Sequence, residues 1–284
     1  MAKTSLVGTV ISKKPPAFGV ELRRWRTLRR VSQLELANQA GTTQRHLSFM
    51  EQGRSHPGRA IVLRLAESLR LTLRERNALL FSAGYAPAFE ETSFDGPALA
   101  PVREALAQVI QGHLPYPALI VRRPGRLLAA NRAIAVFLEG CSPELLKPPV
   151  NVFRIMLHPD GMAPRVANLA QWGRHVVENL SAMASQSPDR ELNALVDELA
   201  GYVPAAPAGT DHLGFAVPLR LTAPEGELRL LTALSTFATA VDVTVAEVML
   251  ESFLPADAAT TALLAERDRL AAERGEPPLL ALGT

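Results

Sequence analysis

Gln44, Arg45 and Ser48 carry the side chains best placed to do chemistry in this chain. On a helix, an amide, a guanidinium and a hydroxyl at i, i+1 and i+4 share one outer surface. That surface offers paired donors and acceptors of the kind that read base edges in the DNA major groove, where Arg pairs with guanine, Gln with adenine and Ser with either. Around them stand Gln33, Thr43, Arg54 and Ser55, groups suited to holding phosphates from helix N-termini and from the loop after the reading helix. His46 suits either role.

Such side chains must be held by two short helices. In "SQLELANQAGTTQRHLSFMEQGR", residues 32–54, Ser32 and Glu35 have the spacing of a capping box. Leu34, Ala37 and Ala40 give a small apolar face, and Gly41 suits the left-handed residue that ends a helix. Thr42 or Thr43 then caps a second helix, with Leu47 and Met50 facing inward. Two helices around a short Gly turn form the helix-turn-helix pattern. Upstream, "GVELRRWRTLRR" places Leu22, Trp25 and Leu28 on one face; downstream, "RAIVLRLAESLRL" and "LRERNALLFSAGY" continue as helices. Charge agrees with a polyanion partner. Residues 1–90 hold 15 Lys and Arg against 6 Asp and Glu, a net of +9, and the remaining residues hold 15 against 22, a net of −7.

Residues 17–88 resemble the five-helix, lambda-repressor-like DNA-binding domain of XRE-type regulators. The stretch "LELANQAGTTQRHLSFMEQGRSHP" carries the match, from the Gly turn through Glu-x-Gly-Arg to a Pro-containing loop. The resemblance implies sequence-directed binding of double-stranded DNA.

At 284 residues the chain has room for two domains. Residues 1–16 read as a flexible basic arm and lack the apolar run of a signal peptide. No stretch approaches the roughly 18 apolar residues of a membrane span. Cys141 is the single cysteine, which excludes an intrachain disulfide and suits the cytoplasm, with the thiol expected as a small core group.

The stretch "PAFEETSFDGPALAP" breaks helical periodicity with three prolines and a Gly and marks a linker over residues 89–100, and the pattern changes over residues 101–284. "PALIV" and "RLLAAN" are short strands around "RRPG", and "NRAIAVFLEG" is a helix that Asn131 can cap. A helical middle follows. Then come three strand-like runs, the first two joined by the tight turn "PEGE", the third being "VAEVMLESFL", where a Thr244–Glu247 capping box also permits helix. The order describes a PAS-like antiparallel sheet with helices over one face, so the fold class is multi-domain, α followed by α+β. The stretches "PYPALIVRRPGRLLAANRAIAVFL", "PPVNVFRIMLHPDGMAPRVANLAQWGRHVV" and "GELRLLTALSTF" make this part similar to the MmyB-like ligand-binding regulators. That resemblance implies a buried acyl-chain ligand, a fatty acid or similar lipid.

The residues themselves suit a ligand with one polar end. From Pro164 onward a helix would place Arg165, Asn168, Trp172 and His175 on one broad face, and Arg154 and His158 are four apart. An inward Arg requires a carboxylate, from a ligand or from the protein, Asp160 and Glu178 being the nearby acids. Phe153, Ile155, Met156, Phe215, Leu230, Leu234 and Phe237 could line an apolar tube or simply pack a core. His158, Asp160, His175, Glu178, Asp211 and His212 do not form a metal or hydrolase motif, so no enzyme and no cofactor is expected. Two alternatives stay open: a second domain that senses haem or flavin, and one that only dimerises the reader. A homodimer is expected in either case, because one helix-turn-helix reads only a few base pairs.

Overall fold

The computed structural model describes residues 17–187, 189–205 and 216–280. The basic arm, Asp211, His212 and Phe215 lie outside the described residues. The chain forms two compact units, residues 1–90 and 91–284.

The first unit contains α1 (Phe18–Leu28), α2 (Gln33–Gln39), α3 (Gln44–Glu51), α4 (Arg59–Ser68) and α5 (Leu73–Ser82). Leu22, Trp25, Leu36, Leu47, Met50, Leu65 and Leu79 meet in its core. Fully burying each of the leucines contributes about 1.5–3 kcal/mol. The caps are local. Ser32 Oγ accepts from Glu35 N at 3.1 Å, and Thr43 Oγ1 from His46 N at 3.1 Å. Only half of the expected capping box forms at Ser32, since the Glu35 carboxylate accepts from Gln39 instead; the reciprocal box closes at Thr72 and Glu75. Gly41 takes φ +63°, turning α2 into α3. One inward residue differs from expectation: Leu34 is 53% exposed, and Leu36 fills the core beside Ala37 and Ala40. Packing against α3 and α4 selects that face, which the short sequence window could not distinguish.

The second unit opens with α6 (Ala100–Gln111), β1 (Ala118–Arg122) and β2 (Arg126–Asn131). Its helical middle is α7 (Ala135–Leu138), α8 (Val152–Leu157), α9 (Leu169–Gln186) and α10 (Arg190–Ala200). Then come β3 (Leu219–Ala223), β4 (Gly226–Thr236), α11 (Val243–Glu247), β5 (Val248–Pro255), α12 (Ala258–Glu273) and β6 (Leu279–Leu280). The strands form one antiparallel sheet in the order β3-β4-β5-β1-β2-β6. On one face, Leu119, Val121, Leu228, Leu230 and Phe253 pack with Phe137, Trp172, Leu180 and Leu195 from the helices. On the other, Ala118, Ile120 and Val248 pack with Leu106 and Ile110 of α6. Burial on both faces is why "ALIV" in β1 is continuously apolar rather than alternating.

Three local expectations change. The helix expected from Pro164 is interrupted: Ala163–Arg165 form a 3-10 turn, Val166 bridges Leu221 of β3, and α9 begins only after Asn168. Asn131 does not cap the helix that follows. Its buried side chain accepts from Ala118 N and donates to the carbonyls of Ile110 and Tyr116, tying α6 to β1. The run from Val245 is helix and then strand, because Asp242 rather than Thr244 caps α11.

Candidate nucleic-acid interface and ligand-binding domain

Gln44, Arg45 and Ser48 lie on the outward side of α3, opposite Leu47 and Met50, which are fully buried. The Arg45 guanidinium rests over the Phe49 ring, 5.3 Å from its centroid, which limits its rotamers while leaving its donors outward. Ser48 Oγ accepts from Gln52 Nε2 at 3.0 Å. His46 is held on both ring nitrogens, with Nδ1 3.0 Å from Thr42 Oγ1 and Nε2 3.4 Å from Ser55 Oγ. It therefore ties the turn before α3 to the loop after it. Arg54 is exposed in that loop, and Thr43 sits at the N-cap.

Glu51 fixes the position of α3. Its carboxylate accepts from Arg26 Nε at 2.6 Å, Arg26 Nη2 at 3.1 Å and Gln33 Nε2 at 2.8 Å, joining α1, α2 and α3. Arg26 also donates to Val31 O. The Glu51 side chain is almost wholly buried, where a paired carboxylate resists loss of its partner strongly. Gln33 and the Glu-x-Gly-Arg pattern stand out in the sequence, but this network does not, since its members are 18 and 25 residues apart.

The five ligand candidates of the second unit divide. Arg154 is solvent-facing and makes two 2.8 Å bonds to Glu198, which also accepts from the Tyr202 hydroxyl at 3.3 Å. The His158 ring packs edge-on against Tyr202, with centroids 4.8 Å apart, and its Nδ1 accepts from Asp160 N. Arg154 and His158 thus share one cluster, and the Arg154 guanidinium holds the Glu198 carboxyl below its usual range. Neither Glu198 nor Tyr202 stood out in the sequence, 40 or more residues away. Arg165 is committed elsewhere. Its Nη2 donates to the carbonyls of Val136 and Phe137 at 3.0 Å each, and Nη1 lies 3.4 Å from Glu139. Asn168 is buried, donating to Pro218 O and accepting from Arg220 N, so it anchors β3. Trp172 is core. His175 is exposed beside Glu178, away from the face expected of it. Of the apolar tube residues, Ile155, Met156 and Leu230 are buried, whereas Leu234 and Phe237 are exposed.

Glu251 is the one acid of β5. It stands in register with Leu119 of β1 and Leu234 of β4, is 6% exposed, and has no polar partner among the described residues. Burial alone pushes its carboxyl up to about 7. Burial likewise raises the Cys141 thiol, with Arg165 opposing, and its Sγ donates to Phe137 O, an inert arrangement. Among the described residues no group of three or more His, Cys, Asp or Glu is placed to hold a metal ion, and no helix is long and apolar enough to cross a membrane.

A basic helical unit presenting a capped reading helix, joined to a PAS-like sheet with its own core, defines a DNA-binding helix-turn-helix regulator with a ligand-binding domain. Comparison with known families agrees: residues 17–79 match a helix-turn-helix domain, and residues 102–266 match the MmyB-like transcription regulator ligand binding domain. The chain belongs to this MmyB-like family of regulators, with an XRE-type reader in front. Both parts are regulatory rather than enzymatic. No curated protein matches the chain.

Proposed function

We propose that this regulator binds a palindromic operator as a homodimer in the cytoplasm, and that its second unit senses a fatty acid or similar lipid. The observation that carries the DNA reading is the outward group of Gln44, Arg45 and Ser48 on a helix whose position Glu51 fixes from behind. In this reading Gln33, Thr43, Arg54 and Ser55 contact phosphates, while His46 positions the loop. Arg45→Ala should lower affinity for an operator selected from random DNA by about 1–3 kcal/mol and relax preference at one base pair. Fluorescence anisotropy at fixed salt measures this. An equal loss on selected and scrambled DNA would remove Arg45 from base reading.

The lipid reading draws on the family's ligand-binding character and on the large apolar core between sheet and helices. Each buried methylene contributes about 0.8 kcal/mol, so a medium or long chain offsets the cost of ordering the ligand. Of the head-group candidates Arg154, His158, Arg165, Asn168 and Trp172, the first two are the ones to test first: they share one cluster with Glu198 and Tyr202, where an anionic head group would compete with Glu198 for Arg154. A second reading, in which this unit only dimerises, draws on the exposed Leu234, Phe237, Val241 and Leu254. Denaturing extraction followed by mass spectrometry separates the two: a bound lipid supports sensing, and a lipid-free extract supports dimerisation alone.

A further inference from the structure

The hairpin between β1 and β2 gathers positive charge on a unit that is otherwise acidic. Arg122 ends β1, Arg123 and Pro124 make the turn, and Arg126 begins β2 as the register partner of Arg122. Like charges directly opposite on a hairpin are unfavourable without a counter-charge. These arginines and Arg154 of α8 line a cleft of about 570 Å³ together with the segment 149–151 and Glu191, Ala194 and Leu195 of α10. Gly125, at φ +94°, lets the turn lie directly against the Phe153 ring, which holds the hairpin at this place.

Two of the four arginines are already neutralised. Arg122 is 3.3 Å from both Glu247 and Glu91, and Arg154 is held by Glu198. Arg123 and Arg126 have no hydrogen bond or ion pair from their side chains among the described residues, and Glu191 is the one acid on the cleft wall. Two uncompensated guanidiniums lining one cleft can offer an oxyanion several charge-assisted donors.

We propose that this cleft is a binding site for a small oxyanion, a phosphate or carboxylate group, on a polar molecule. A nucleic acid or an anionic membrane fits poorly, because the unit carries a net charge of −7 and a long polyanion meets that field as a whole. A small anion meets chiefly the local arginines, within about 8–10 Å at physiological salt. The cleft shares Arg154 with the proposed lipid head group, but Arg123 and Arg126 carry this inference, and neither probe below has a chain to bury, so the two readings fail separately.

Isothermal titration of the full chain with inorganic phosphate and with succinate, at constant ionic strength, tests this. To separate anions held by the basic reader, the same titrations use Arg45→Ala/Arg54→Ala protein, which should retain the binding. Arg123→Ala/Arg126→Ala alters two exposed residues and should keep the melting temperature in anion-free buffer while weakening the preferred anion by about ten-fold or more. Phosphate and succinate distinguish a phosphoryl from a carboxylate ligand. Undiminished binding in the hairpin variant, loss of all binding in the reader variant, or no saturable binding of either anion would each overturn the proposal.

Discussion

Glu51, Arg26 and Gln33 come from three helices and meet through one carboxylate. No spacing rule connects them, whereas the outward triad of Gln44, Arg45 and Ser48 was legible because helical periodicity alone separates it from Leu47 and Met50. The same contrast holds in the second unit. Arg154 and His158 could be paired from their four-residue spacing, but their real neighbours, Glu198 and Tyr202, arrive from the end of α10 through tertiary packing. Glu251 was invisible for a related reason: an acid in an alternating strand reads as a solvent-facing residue, and here helices cover that face. Its chemistry predicts a pH signature. Because its folded pKa of about 7 lies above the unfolded value near 4.5, the folded state holds this proton more tightly. Its stabilising effect is complete below about pH 4.5 and fades as pH rises towards about 7, a loss of about 3 kcal/mol. Glu251→Gln should flatten that slope in urea denaturation measured between these pH values. An unchanged slope would mean that the carboxyl is hydrated.

At the scale of elements, the signals that worked were those that act within a turn or two. Ser32 and Thr43 cap α2 and α3 as their spacing predicts, and Gly41 ends α2. The failures came where tertiary contact overrides local pattern. The Val166 bridge to β3 breaks the helix expected from Pro164, and Asn131 serves the interior rather than a helix end. Helix crossing adds a constraint that the sequence hides. A Cβ on Gly19 of α1 would stand 2.5 Å from Met50 O and 2.6 Å from Glu51 O at the end of α3. Glycine is needed there for close approach, its helical φ being ordinary. Gly19→Ala must push α1 away from α3, and should destabilise the reader by about 1–3 kcal/mol, as overpacking does. Denaturation of the full chain monitored at Trp25 would check it, with a two-state midpoint equal to wild type counting against the close crossing.

The whole molecule divides its charge as it divides its work, with net +9 in the reader and −7 in the ligand-binding unit. That division was plain from the sequence, as were the helix-turn-helix and the succession of strands and helices along the second unit, whereas the order of strands within the sheet was not. The ligand was not, since an apolar core and an apolar binding site use the same residue types. A ligand changes DNA reading only through its differential affinity for two arrangements of the protein, and couplings of this kind usually lie near 1–3 kcal/mol. Lipid sensing is therefore tested by operator affinity measured on one preparation of the protein, first stripped of lipid and then reloaded with a medium- or long-chain fatty acid. The two forms should differ by about five-fold or more in operator affinity, and Arg154→Ala should remove the difference while leaving lipid-free binding intact. Identical affinities, together with an unchanged melting temperature on adding fatty acid, would contradict lipid sensing and leave the second unit with dimerisation alone.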